Sequence, residues 1–404
     1  MKEAIQQKKK IAIIGTVGVP ANYGGFETLA EHLIDDLAAQ HKISVYCSGK
    51  SYPKSKRKST YKGAKLHYLP LEANGVQSIV YDSLSIFHAL FTADVLLILG
   101  VAGAWMLPFV KLFTNKKIII SIDGIEWKRD KWNLLAKLYL FWAEKLAVKY
   151  SHIDISDNEA IQDYTASRYG TLSRIIEYGA DHTLSVPINE KAVEDYPFLK
   201  ATYAFKVCRI EPENNVHIIL NAFSKADQLP LVMIGNWNKS DYGKDLKSRF
   251  SSHPNIHLLD PIYEQEKLDM IRGNASLYVH GHSAGGTNPS LVEAMFLGLP
   301  ILAYGVSYNR VTTEHRATYF LTETELVNEL QQLESEKLKQ IGSRMKAIAN
   351  RRYQWSLVAT KYNLLVQEAL STTGKTKADA KLKAVAYKHL LDLNLAHLKV
   401  NNNF

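Results

Sequence analysis

Short runs of apolar, largely β-branched residues alternate with longer stretches of helical spacing along most of this chain. The runs are IAIIG (11–15), ISVYC (43–47), LHYL (66–69), DVLLIL (94–99), KIIISI (117–122), HIDIS (152–156) and RIIEY (174–178). A second series follows: TYAFKVCRI (202–210), PLVMIG (230–235), NIHLL (255–259), ASLYVH (275–280) and PILAY (300–304). Apolar strands separated by helical crossovers predict parallel sheets covered by helices. Two such series in tandem predict an α/β protein of two Rossmann-like, doubly wound domains facing across a cleft. Between them SVPINEKAVEDYPFLKA (185–201) is polar, carries Pro187 and Pro197 and lacks periodicity, so it reads as a linker with the boundary near residue 190. The expected domains are 1–190 and 191–352, followed by C-terminal helices over 353–404. Tyr353 to Leu370 has the length and amphipathicity to pack back on the first domain. Ser371 to Gly374 breaks the pattern, and Lys375 to Val400 reads as one more amphipathic helix.

With 404 residues, 46% apolar and 22% charged, the chain is too long for one comfortable core, which agrees with two domains. Cys47 and Cys208 lie far apart in strand-like runs, so neither a disulfide framework nor a zinc site is expected and a reducing cytoplasm fits. MKEAIQQKKK passes directly into an apolar run too short for a signal peptide, so secretion is not expected. Val95 to Val110 falls short of the roughly 20 residues of a spanning helix and contains Gly100, Gly103 and Pro108. It reads as a buried strand ending near Gly100, then a loop and a helix.

Net charge is +9, and Lys50 to Lys65 holds seven basic residues and no acidic one. The run reads as a solvated flexible loop, or as a patch attracted to anionic lipid headgroups or a phosphorylated acceptor. Trp105, Met106, Phe109 and the helix bearing Trp132, Tyr139, Phe141 and Trp142 extend that second reading to peripheral docking on the inner face of a cell membrane. The default reading of such stripes is core. No nucleic-acid-binding motif accompanies the charge.

Two loops at strand ends carry candidate chemistry, because ligands of open α/β sheets bind where loops and helix N-termini present backbone N–H groups. The first, from Gly15 to Glu27, places Gly24 and Gly25 at the start of a helix; its spacing is not the dinucleotide fingerprint, which argues against an NAD-dependent oxidoreductase. The second runs from His280 to Ser290 through His282, Gly285, Gly286, Thr287 and Asn288, with Asn288 suited to the N-cap and Pro289 to the first helical position. A pyrophosphate fits there, stabilised by orphan N–H donors and the helix dipole. Glu293, one turn on, is placed to hold a ribose diol, or is simply a solvated carboxylate. Arg209, at the end of TYAFKVCRI, is placed to bind phosphate oxygens. His280 and His282 share a strand face without further ligands at metal spacing, and no Asp-x-Asp pair occurs, so no metal and no cofactor are expected.

The frame Pro289-Ser-Leu291-Val-Glu293-Ala-Met295-Phe-Leu-Gly298-Leu-Pro300 resembles the signature of the retaining nucleotide-sugar glycosyltransferases of family four, which have the GT-B fold. Y-G-G-F-E-T at Tyr23 to Thr28, D-G-x-E-W-K-R at Asp123 to Arg129 and G-G-T-N-P-S-L at Gly285 to Leu291 are similar to a bacterial rhamnosyltransferase-like subgroup of capsule and polysaccharide synthesis. The resemblance reaches about residue 370. It implies Glu293 as the ribose ligand, Arg209 as a phosphate ligand and Asp123 beside the reacting sugar. It further implies donor contacts at Gly24, Gly25, Asn214, His282, Gly285, Gly286, Thr287, Asn288, Ser290 and Leu291. Tyr23, Phe26, Glu126, Trp127, Lys128 and Arg129 fall on the acceptor side.

Two positions depart from the wider family, Gly285 where a first Glu stands and Asn214 where a Lys follows the Arg. The implied activity is metal-free, retaining transfer of a sugar, with dTDP-rhamnose as the favoured donor and a saccharide or polyprenyl-diphosphate-saccharide as acceptor. A same-fold transferase using UDP-glucose, UDP-galactose or another sugar nucleotide is the alternative enzyme. A catalytically silent sugar- or lipid-binding protein is the alternative of another class.

Overall fold

The computed structural model describes residues 8–21, 24–122, 124–129 and 132–378. Tyr23, Asp123 and all of the proposed last helix beyond residue 378 therefore lie outside the described residues. The chain forms two compact units, Met1–Glu177 with Trp355–Phe404, and Tyr178–Gln354.

Unit 1 contains β1 (Lys10–Ile14), α1 (Gly25–Gln40), β2 (Lys42–Ser48), β3 (Thr60–Tyr61), β4 (Ala64–Leu69), α2 (Gln77–Thr92), β5 (Val95–Leu99), α3 (Leu107–Phe113), β6 (Lys117–Ile122), α4 (Leu134–Tyr150), β7 (Ile153–Ser156), α5 (Glu159–Tyr169) and β8 (Arg174–Ile175). Its sheet has the order β3-β4-β2-β1-β5-β6-β7-β8, parallel except for β3. Every residue of VLLIL in β5 is buried, as a central strand covered on both faces requires.

Unit 2 contains α6 (Glu190–Asp195), β9 (Ala204–Val207), α7 (Val216–Lys225), β10 (Leu231–Ile234), α8 (Asp241–Phe250), β11 (Ile256–Leu259), α9 (Gln265–Gly273), β12 (Leu277–His280), α10 (Pro289–Phe296), β13 (Ile301–Tyr304), α11 (Ser307–Thr312), β14 (Thr318–Phe320), α12 (Glu323–Gln331) and α13 (Ser335–Arg352). Its order, β11-β10-β9-β12-β13-β14, is doubly wound, reversing between β9 and β12. The chain then returns to unit 1 as α14 (Trp355–Ser371), where Trp355 stacks on His32 of α1 with centroids 4.3 Å apart.

Several expectations need correction. RIIEY is a strand only over Arg174–Ile175, because the segment beyond Glu177 is held in unit 2: the Ala180 N–H donates to the Tyr353 carbonyl (2.7 Å) and the Leu184 N–H to Asp269 Oδ2 (2.8 Å). The stretch 185–201 is not structureless; Asn189 caps α6 by accepting from the Ala192 N–H (2.8 Å), and a 3₁₀ turn follows over Pro197–Lys200. The basic stretch is an ordered loop and hairpin. Arg57 Nε donates to the Tyr52 carbonyl (2.9 Å) and its other guanidinium nitrogen to Gly49 (2.5 Å), while Lys62 pairs with Asp35 (2.8 Å).

The tail after Gly374 begins extended, not helical. Lys377 bridges Thr171, and the buried ammonium of Lys375 meets Asp154 at 2.9 Å. Among the described residues no helix is long and apolar enough to cross a membrane.

Candidate functional site

A doubly wound sheet leaves a crevice beyond the carboxyl ends of its strands where the order reverses. In unit 2 the loops that leave β9 and β12 meet at this point. Asn214 donates from Nδ2 to the Arg209 carbonyl (2.9 Å), and its Oδ1 lies 3.0 Å from His282 Nδ1. Asn215 donates to the Gly281 carbonyl (2.8 Å), and the Ser283 N–H and hydroxyl both donate to the Glu213 carbonyl (2.8 and 2.9 Å). The approach is so close that a Cβ on Gly281 would lie 2.3 Å from the Asn214 carbonyl oxygen. Asn214, standing where the wider family has a Lys, is thus a buried brace between the loops.

Above this brace the chain turns into α10. Gly285 has φ of 116°, a conformation that side chains resist, so the path of the loop itself disfavours the Glu found here in the wider family. Gly286 and Thr287 are buried in the turn. Asn288 accepts from the Ser290 N–H (3.1 Å), and Pro289 begins the helix. The Ser290 hydroxyl donates to Asn288 Oδ1 and accepts from Tyr278, both at 2.8 Å. Leu291 turns into the core, so its side chain is not available to a ligand.

Arg209 stands at the rim, its side chain 37% exposed and its Nε 3.8 Å from Glu211. Beneath it Lys206 of β9 is sealed from solvent, and burial lowers its pKa. His280 is equally buried. Burial, and then the nearby Lys206, hold its pKa well below the usual imidazole value, which makes it neutral.

Glu293 is not a freely solvated carboxylate; its side chain is 15% exposed. It pairs with Arg272 of α9 and lies 3.3 Å from His182 Nε2, while Arg272 also pairs with Asp269 one turn earlier. Arg272 and Asp269 are fully enclosed. Burial alone would raise the Glu293 carboxyl; Arg272 and His182 outweigh it and hold the group below its ordinary value. The solvated-carboxylate reading of Glu293 therefore falls. Sequence reasoning misses Arg272, Asp269 and His182, because a charged pair three apart on a helix ordinarily marks its wet face.

In unit 1 the reversal lies between β1 and β5. Gly24 and Gly25 open α1, and Glu27 folds back to accept from the Val17 N–H (2.6 Å) and the Thr16 hydroxyl (3.1 Å). Phe26 is half-buried near Gly100. In the 126–129 turn, Glu126 accepts from Trp132 (3.0 Å) and pairs with Arg129 (2.9 Å). Trp127 donates to the Tyr164 hydroxyl (3.1 Å), which donates in turn to the buried Glu144 (2.5 Å), itself paired with Arg168 (2.6 Å). Of that turn Lys128 alone is exposed. Among the described residues no group of three or more His, Cys, Asp or Glu is placed to hold a metal ion.

Residues 189–354 match the family described as "Glycosyl transferases group 1". The second unit carries a group 1 glycosyltransferase domain. Residues 8–181 match a separate family, described as a domain of unknown function, DUF1972. No curated protein matches the chain. Among solved structures, a sucrose-phosphate synthase from Thermosynechococcus elongatus superposes with a TM-score of 0.74 at 14% identity, over 89% of this chain and 99% of that one. Anabaena HepE in complex with UDP and glucose gives 0.68 at 14%, over 89% and 100%. The catalytic domain of Arabidopsis thaliana starch synthase IV, bound to ADP and acarbose, gives 0.64 at 13%, over 90% and 100%. The group 1 glycosyltransferase domain thus belongs to a chain with the GT-B fold, two parallel-sheet α/β units.

Proposed function

We propose that this GT-B glycosyltransferase moves rhamnose from dTDP-rhamnose to a saccharide carried on a polyprenyl diphosphate, in the assembly of a cell-surface polysaccharide, with retention at the anomeric carbon and without a metal. The observation that carries the reading is the meeting, at the reversal of the second sheet, of the Arg209 loop with the loop that leads from β12 into α10, the helix that bears Glu293 one turn on. One supplies a fixed positive charge, the other backbone N–H groups and the positive end of a dipole. Rhamnose rests on the three sequence motifs, and the UDP and ADP bound by the HepE and starch synthase structures support a nucleoside diphosphate.

In the proposed reaction the bond between the anomeric carbon and the diphosphate breaks while the acceptor hydroxyl bonds to the same face of that carbon. Its proton passes to the departing phosphate. Arg209 and α10 stabilise the charge that grows on the leaving group. Glu293, fixed by Arg272 and His182, presents its carboxylate to the ribose hydroxyls, and Asp123 orients the sugar. An acceptor of this kind resides in a bilayer, so the protein is expected to work in the cytoplasm at the inner face of the membrane.

Calorimetric titration with dTDP and UDP, and product analysis over a panel of sugar nucleotides in EDTA-treated buffer, test the proposal. Arg209→Ala should weaken nucleoside diphosphate binding about 10-fold to 150-fold, the worth of one charge-assisted contact of roughly 1.5–3 kcal/mol. Glu293→Ala should weaken binding of the nucleotide itself. Wild-type affinity in both folded variants would place the donor elsewhere, and turnover of UDP-glucose but not dTDP-rhamnose would replace the sugar.

A further inference from the structure

A helix on the outside of a globular unit ordinarily turns its polar face to water. Three segments of unit 1 do the reverse. On α2 the outward positions are Val80, Leu84, Phe87 and Phe91, three and four residues apart and so on one stripe, whereas Tyr81, Ile86 and Ala89 face inward. After β5, Trp105 and Phe109 stand out, and Leu112 and Phe113 of α3 are 71% and 78% exposed. The first half of α4 presents Leu134, Leu135, Leu138 and Trp142 on one side.

These positions form one surface. Trp105 Nε1 donates to Ser83 Oγ of α2 (2.8 Å), its ring lies 6.3 Å from that of Phe109, and the Tyr139 hydroxyl of α4 donates to the Ala102 carbonyl. Direct packing of α3 on α4 completes the connection. Single exposed apolar side chains are ordinary; a continuous face of them marks a place where another body excludes water.

Charge decides which body. Segments 76–93, 100–117 and 132–150 hold two carboxylates, Asp82 and Glu144, both buried, and six lysines. Lys50 reaches Gln77 at the start of α2 (3.2 Å), so the basic stretch adjoins that end of the face. A second copy laid on this surface about a two-fold axis would set lysine against lysine, with no exposed carboxylate from these segments to answer. A bilayer containing anionic lipid answers both features, because acyl chains accept the aromatic and leucine side chains while headgroup phosphates attract the lysines. We infer that unit 1 docks on an anionic phospholipid bilayer through α2, α3 and the first half of α4. The inference stands on this surface and not on the donor site, and it gives a bilayer-held acceptor a place to be met.

Sedimentation with vesicles of phosphatidylcholine and phosphatidylglycerol, and with phosphatidylcholine alone, tests it. The wild-type protein should pellet with the anionic vesicles at low salt and be released as salt rises. Combining Phe87→Ser, Phe91→Ser and Leu135→Ser should lower the partition about ten-fold or more, since it removes exposed apolar surface outside the core. Lys137→Glu with Lys145→Glu should weaken binding to the anionic vesicles. An unchanged circular dichroism spectrum and thermal melting profile of the triple variant establish that its fold survives. Absence of vesicle binding, or equal binding by wild type and triple variant, overturns the inference. So does a concentration-dependent dimer that the same substitutions dissolve, which would assign the face to a second copy. Loss of nucleotide binding in Arg209→Ala with vesicle binding intact would bear on the donor site alone.

Discussion

Arg272 is the side chain whose loss unit 2 should tolerate least. Its guanidinium is enclosed between Asp269 and Glu293, and Arg272→Met keeps the stem while removing the charge. Two carboxylates then share a buried space without their cation. Removing one partner of a buried ion pair costs roughly 3–5 kcal/mol; uptake of a proton by one carboxylate offsets part of it, so about 3 kcal/mol is expected at neutral pH.

The pH dependence has a definite sign. In the wild type the Glu293 carboxyl is held below its ordinary value, so its contribution is present above the unfolded pKa of about 4.3 and is lost as pH falls through the lower folded value. In Arg272→Met burial prevails and the folded value rises. The deficit against wild type should therefore shrink as pH is lowered from about 7 to about 5. Hydrogen exchange of peptides from α9 and α10 measures the opening free energy of this region directly. A loss under about 1 kcal/mol, or a deficit that does not shrink at the lower pH, would refute the reasoning. Adding Glu293→Gln to the variant should restore part of the loss.

Two further outcomes follow from single positions. Gly285→Glu installs the wider family's residue at φ 116°, which should cost about 1–2 kcal/mol in a melting experiment and fail to confer use of UDP-glucose; a stable variant that turns over UDP-glucose would contradict the assignment of this turn. Asp82 is fully enclosed, and burial pushes its carboxyl up to about 8 in spite of a hydrogen bond from Gly103. The folded state therefore holds a proton that the unfolded chain releases near pH 4, and the stability of unit 1 should fall as pH rises from there toward 8. Asp82→Asn should flatten that slope in thermal melts, and an unchanged slope would show that the carboxyl is not its source.

Most strands are legible in the sequence because a parallel strand buried on both faces must be apolar throughout, as VLLIL of β5 is. The loops at the second reversal are legible because glycine, asparagine and proline are the residues that such turns demand, and Asn288 and Pro289 occupy the cap and first turn of α10. Edge strands escape the same logic: β3 is two residues paired antiparallel with β4, and β14 is only three residues. The partners of Glu293 are hidden because Asp269 and Arg272 have the spacing of a solvated helix pair, and only the packing of α9 shows them to be enclosed. The sequence of α2 announces a helix but not its covered side, since an apolar stripe reads by default as core, whereas the buried positions of QSIVYDSLSIFHALFT are Tyr81, Asp82, Ser85, Ile86 and Ala89. The turn at 126–129 yields its motif but not its orientation, which places Trp127 over the Glu144 cluster.

The chain leaves unit 1 after Glu177 and returns to it at Trp355, and the Ala180 N–H and Tyr353 carbonyl are 2.7 Å apart. Unit 2 is therefore an insertion whose two ends meet. Closing a disordered loop of that length would cost roughly 4–5 kcal/mol of chain entropy. A folded insert removes that burden by holding its own ends together. During synthesis α14, which lies on α1, emerges only after the whole of unit 2. The half of the protein that is made first is thus the last to be finished, and a chain cut short anywhere within unit 2 leaves α1 without its cover.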